Sequence, residues 1–261
     1  MYSSSTFLLV RVMKKMERPR LSIDITRALK CADRIESVLK EYYRVWASQN
    51  TKNMFIRPER IEAFNHIVKW SIDCRHMNSE ISYTFKRLVE QLARGVTDTK
   101  KQSEVKWYSM PDVIMQYYCN DIAYRIRSAW DKLSQIINIY FLDSKLDKRK
   151  ASFHTVRNHL KITKHIELTS FLEKITSSEI YKNLKSYRDD FTHNITQELA
   201  NMYKLHGKFW HTDELIYLLL DGYVQLAEAF EIVLIAICKD SASTDVTSFQ
   251  EMLDKTPFFK G

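Results

Sequence analysis

The stretch EIYKNLKSYRDDFTHNITQELANMY, residues 179–203, decides the fold. Ile180, Leu184, Tyr187, Phe191, Ile195, Leu199 and Met202 recur every three or four residues, the period of one buried helix face. No Gly or Pro interrupts the run before Gly207, which is placed to end it. Downstream, Thr212 suits a helix N-cap, and Asp213 and Glu214 suit the positive end of the helix dipole. The helix that follows is apolar on nearly all sides (Leu215 to Leu220, then Ile232 to Ile237), as expected at the centre of a bundle. Upstream, Ser109 and Pro111 start a helix predicted to reach Leu142, with Ile126, Trp130, Leu133, Ile137 and Tyr140 on one stripe. A first helix is predicted over 22–48, where Ile25, Leu29, Ala32, Ile35, Val38 and Leu39 form the buried face. A second runs over 59–93, with a break near Asn78 and a stop at Gly95, and a short helix covers 155–160.

The composition supports this reading. Only 4 Gly and 4 Pro occur in 261 residues, against 45% apolar residues. That is too few turn-formers for a barrel, a sandwich or a Gly-rich nucleotide-binding sheet. The fold class expected is all-α, an up-and-down helical bundle. Residues 1–20 read as a loose basic lead-in, within which Met13 or Met16 are alternative starts, and 21–95 as an N-terminal helical extension. Residues 111–240 read as the helical core and 241–261 as a polar tail.

The net charge of +8 is unevenly placed: residues 1–200 hold 35 Lys and Arg against 23 Asp and Glu, whereas 201–261 hold 5 against 9. A basic body of this kind attracts a polyanion such as RNA. The four cysteines (Cys31, Cys74, Cys119, Cys238) are scattered without a Cys-x-x-Cys pair, so they read as reduced, buried thiols of a cytoplasmic protein. Arg11 cuts the apolar run begun at Phe7, and the charges follow it where a secretion signal would have them first. The last helix carries Asp221, Gln225, Glu228 and Glu231 and so lacks the roughly 18 uninterrupted apolar residues of a membrane span. No phosphate-cradling Gly loop and no Gly-x-Ser-x-Gly elbow is present.

Within the decisive stretch lies Arg188-Asp189-x-x-x-His193. Arg holds a phosphate through a planar fork that stays charged, and His moves protons near neutral pH. RNA brings its own nucleophile, the 2′-hydroxyl, so this pair suffices for cleavage without a metal or other cofactor. On a continuous helix the two side chains lie about 140° apart around the axis. Asp189, four residues before His193, shares its face and suits a supporting role; the bland alternative pairs it with Lys185. Arg60 with His66 and Arg149 with His154 have similar spacing, where chance supplies about 1.5 such pairs. Only the third joins a long amphipathic helix to an acidic residue directly after the Arg, where Arg60 is followed by Ile61.

Arg188-Asp189-x-x-x-His193 resembles the signature of the HEPN superfamily, an Arg and a His with four to six residues between them, often with a polar residue after the Arg. The stretch from Arg127 to Phe141, RSAWDKLSQIINIYF, is similar to the second core helix of bacterial members, the Cthe-type branch in particular. The likeness covers roughly residues 111–240. It implies a bundle of four or five helices, here with extra N-terminal helices, and a homodimer with paired motifs facing a cleft. It also implies metal-independent endoribonuclease activity, with a role as toxin or phage-defence effector and a possible antitoxin or defence-system partner. By the same carry-over Arg188 contacts the scissile phosphate, His193 is general acid or base, Asp189 supports them, and Asp131 helps position Arg188. Where toxins paired with nucleotidyltransferase antitoxins carry Tyr two residues after the His, this chain has Ile195, which argues against that class of antitoxin.

The alternative is a non-catalytic module of the same fold that binds RNA, a nucleotide or a protein. His154, His159 and His165 lack metal-ligand spacing; with Arg157, Lys161 and Lys164 beside them they suit RNA contact better. Most of the 14 Tyr, 13 Phe and 5 Trp sit at helical spacing and read as core.

Overall fold

The computed structural model describes residues 19–53, 58–94, 110–142, 146–147, 151–161, 166–193 and 212–241. Every regular element among them is a helix: α1 (Pro19–Asn53), α2 (Pro58–Ala93), α3 (Met110–Phe141), α4 (Phe153–Leu160), α5 (Ile166–Ser177), α6 (Glu179–His193) and α7 (Thr212–Ser241). The described residues fall into two compact units, and α1, α2, α3 and α7 contribute residues to both.

The first unit takes residues 79–127 and 179–224 together with the chain up to residue 31. Its core is drawn from Ile81, Phe85 and Leu88 of α2, Cys119, Ile122 and Ile126 of α3, and Leu215, Leu219 and Tyr223 of α7. The Phe85 and Tyr223 rings stack 5.9 Å apart, adding offset-stacking energy to the area they bury. Helices α2 and α3 also meet through polar groups. Thr84 Oγ1 donates to Asp121 at 3.0 Å, while Arg125 binds both Asp121 at 2.8 Å and Glu80. Helix α6 approaches α7 at Gly222, where a Cβ would come 2.9 Å from Leu184 Cδ2. Glycine in mid-helix costs about 1 kcal/mol against Ala; here it makes room for the neighbouring helix.

The second unit takes residues 32–78, 128–178 and the chain from 225. Trp130 meets the Phe153 ring edge-on at 4.8 Å, among buried Leu133, Ile137, Phe230 and Ile237. Arg34 and Glu231 form an ion pair in which the Glu is buried, and burial raises its carboxyl above the usual range against the pull of Arg34. Ser152 caps α4 by accepting from the Thr155 amide. Arg157 Nη1 donates to Thr176 Oγ1 at 2.7 Å and Lys161 pairs with Glu173 at 2.5 Å, so α4 is tied to α5 by two polar bridges.

Three expectations change. No break occurs at Asn78: α2 runs through it, and its buried side-chain amide donates across to the Ala32 carbonyl at 3.0 Å. The polar residue is an interhelical fastener where a turn was expected. Residues 166–177, given no element above, form α5, with Leu168, Leu172 and Ile175 buried at helical spacing. α1 is also longer at both ends than predicted. The continuation of 179–203 beyond His193, the stops at Gly95 and Gly207, the lead-in and the tail after Ser241 lie outside the described residues. Among the described residues, no helix is long and apolar enough to cross a membrane.

Replacing Gly222 by Val should destabilise by about 1–3 kcal/mol, because its branched carbons meet Leu184. Gly222→Ala should be near neutral, its helix-propensity gain offsetting the shift of one flexible Cδ2. Urea titrations followed by circular dichroism compare the two. Cys31, Cys74 and Cys119 are buried free thiols, and burial holds Cys74 and Cys119 well above the ordinary value of 9.0. The unfolded chain therefore ionises these thiols first, and stability should fall as pH rises past about 9. At pH 8 a thiol reagent should label no more than one cysteine per native chain, Cys238, whose side chain lies outside the described residues.

Candidate nucleic-acid site

The site is built on α6, and what fixes α6 is its inner face. Tyr181, Leu184 and Tyr187 are buried there, while Lys182, Lys185 and Ser186 face out. Each inner residue has a specific partner in the same unit. Arg127 Nη1 of α3 donates to the Tyr181 hydroxyl at 2.6 Å, its guanidinium 5.6 Å from the ring centroid. Leu184 fills the notch at Gly222. The Tyr187 hydroxyl donates to Asn120 Oδ1 at 2.5 Å and accepts from Gln116 Nε2 at 2.7 Å, and Gln116 also donates to Asn120 at 3.2 Å. Gln116 and Asn120 are one turn apart on α3, so a single amide pair grips the phenol from two sides.

Arg188 follows the gripped tyrosine. It is half-buried, its side chain 25% exposed, and Nη1 donates to Asp189 Oδ1 at 2.9 Å. Neighbouring positions on a helix point about 100° apart, so the long Arg must fold back along the helix to reach its neighbour. Asp189, 40% exposed, is thus tied to Arg188. His193 is the last residue of α6, and its side chain lies outside the described residues. Asp131 is half-buried on the part of α3 that belongs to the second unit.

Three of the six groups of the rival basic cluster have partners on α4 or α5. His159 Nδ1 lies 3.0 Å from the Thr155 carbonyl of its own helix, and Arg157 and Lys161 serve the α4–α5 bridges. His154 is exposed, and Lys164 and His165 lie outside the described residues. Among the described residues no group of three or more His, Cys, Asp or Glu is placed to hold a metal ion.

Reading the sequence missed Gln116, Asn120 and Gly222. The i, i+4 amide pair on one helix and a lone Gly inside an apolar one were the available signals, the second a standard mark of close backbone approach.

A bundle of helices carrying Arg188 and His193 on its penultimate described helix defines an all-α class of protein. The chain belongs to the HEPN_Cthe2314-like HEPN family, whose model matches residues 70–240. The match begins within α2 and takes in all of α3 to α6 and nearly all of α7. Comparison with curated proteins returns no match, and neither does comparison with solved structures.

The grip on Tyr187 is open to test. Tyr187→Phe removes one hydroxyl and leaves the Gln116 and Asn120 amides their bond to each other but not the one each makes to the phenol, so stability should drop by about 1–3 kcal/mol with helix content unchanged. Urea unfolding midpoints of the two proteins check this.

Proposed function

We propose that the protein is a metal-independent endoribonuclease that acts as a homodimer, in the cytoplasm, as a toxin or phage-defence effector. The observation that carries this reading is the setting of Arg188. Its guanidinium is half-buried, paired with the Asp189 carboxylate and mounted beside a fastened tyrosine, within the Arg188-Asp189-x-x-x-His193 stretch that resembles the superfamily signature. In the proposed reaction the 2′-hydroxyl attacks the adjacent phosphorus and the bond from phosphorus to O5′ breaks. A general base takes the 2′ proton and a general acid returns one to the leaving O5′; His193 fills one of these roles. Arg188 binds the phosphate oxygens as their charge builds. Asp189 holds the guanidinium ready beforehand. An antitoxin or defence-system protein is the partner such an effector calls for.

The second reading, a non-catalytic module that binds RNA, a nucleotide or a protein, draws on the same ion pair. With Asp189 on Arg188 this guanidinium already has a carboxylate partner, which suits a surface that recognises its ligand through other groups.

Purified protein incubated with mixed RNAs separates the readings. Cleavage is expected, and EDTA should leave it unchanged. His193→Ala should lower the rate by about 10²–10⁴-fold, the usual worth of a general acid or base. Arg188→Ala should weaken both cleavage and RNA binding. Cleavage that persists at full rate in His193→Ala, or that EDTA stops, contradicts the proposal, and RNA binding without cleavage favours the second reading.

A further inference from the structure

Asp189 stands four residues after Lys185, the spacing at which Lys and Asp pair on a helix. Here it takes Arg188 at 2.9 Å. Glu179, the other carboxylate whose side chain is described on α6, goes to Lys182 at 3.3 Å. Position 190, also an Asp, lies about 140° from position 185 around the helix axis, on another face. Lys185 is exposed and, among the described residues, forms neither an ion pair nor a hydrogen bond. One turn before the guanidinium, α6 thus presents an ammonium with no acid on it.

Its position gives that charge a use. Lys182, Lys185 and Arg188 recur every three residues, one of the rows along which side chains line up on a helix surface. Lys185 and Arg188 are separated by about 4.5 Å of rise and about 60° of rotation. Their Cβ atoms are then about 5–6 Å apart, and two long side chains from such a pair span one nucleotide step. The row cannot roll inward, because Tyr181, Leu184 and Tyr187 fasten the inner face of α6. Lys meets a phosphate as a compact point charge and reads no base. We propose that Lys185 binds the phosphate next to the scissile one, so that the RNA strand lies along this row from Arg188 toward the N-terminal end of α6. This rests on the ribonuclease reading above and adds the substrate class. The substrate is an RNA strand with a further phosphate on that side, engaged without regard to base. A dinucleotide, with its single internucleotide phosphate, cannot occupy Arg188 and Lys185 together.

Salt titrations of binding to 2′-O-methyl RNA of about ten nucleotides test the contact. That RNA lacks the nucleophile and stays intact. Lys185→Ala should lower the slope of log affinity against log salt by about 0.7–1, equally on RNAs of different sequence. Lys185→Arg should restore it. Lys174→Ala, at an exposed position of α5 in the second unit, should keep the wild-type slope. With ordinary RNA, Lys185→Ala should lower kcat/KM about fivefold on the strand and leave it unchanged on a dinucleotide. An unchanged slope in Lys185→Ala, an equal drop in Lys174→Ala, or a drop that Lys185→Arg fails to restore overturns the contact and leaves the reading of Arg188 standing. Dinucleotide cleavage that falls as far as strand cleavage puts Lys185 on the scissile phosphate and overturns the proposal too. Lys185-dependent binding with no cleavage of ordinary RNA upholds the contact and contradicts the nuclease. A wild type that binds no RNA overturns both.

Discussion

The orientation of one short helix governs the site. α6 is held against rotation about its axis by three contacts of different chemistry: a guanidinium on Tyr181, a leucine in the notch at Gly222, and two amides on the Tyr187 hydroxyl. Apolar burial alone is non-directional and would let a two-turn stripe slide or roll. The hydrogen bonds do not allow that, since turning α6 by one position would strand the Tyr187 hydroxyl and its amide partners. Arg188 comes next in the chain, so its place at the edge of the packed face follows from the grip on Tyr187.

The strength of the Arg188–Asp189 pair sets how such a site works. Both side chains are partly in water, and pairs of that kind contribute about 0–1 kcal/mol. A guanidinium–phosphate contact, with two parallel charge-assisted bonds, is worth about 1.5–3 kcal/mol. In the proposed reaction Asp189 therefore keeps the guanidinium in place and gives way to a phosphate, which is the preorganisation that phosphoryl chemistry draws on. A buried, fully desolvated pair would have been hard to displace.

Much of this was legible in the residues. The all-α fold followed from scarce Gly and Pro and from helical periodicity, and the inner face of α6 was read correctly at Leu184 and Tyr187, both buried. Helix α5 escaped because its apolar residues are diluted by Thr169, Ser170, Thr176 and Ser177, poor helix formers in isolation. In place, Thr176 returns its hydroxyl to the Leu172 carbonyl and takes a bond from Arg157, so tertiary contacts override propensity. Asn78 misled for the same reason, its amide finding a backbone acceptor on α1. The partners of Tyr187 were hidden because a pairing across 67 and 71 residues leaves no local trace. The pairing of Asp189 with its immediate neighbour, ahead of Lys185 four residues away, reflects the reach of a long Arg, which helical spacing rules do not include.

In the proposed reaction the RNA's own 2′-oxygen is the nucleophile. Phosphorus NMR of the RNA after reaction reads this directly. A 2′,3′-cyclic phosphate signal is expected, with 5′-hydroxyl ends on the complementary fragments. Fragments bearing 5′-phosphates and 3′-hydroxyls, the mark of attack by water, would contradict it.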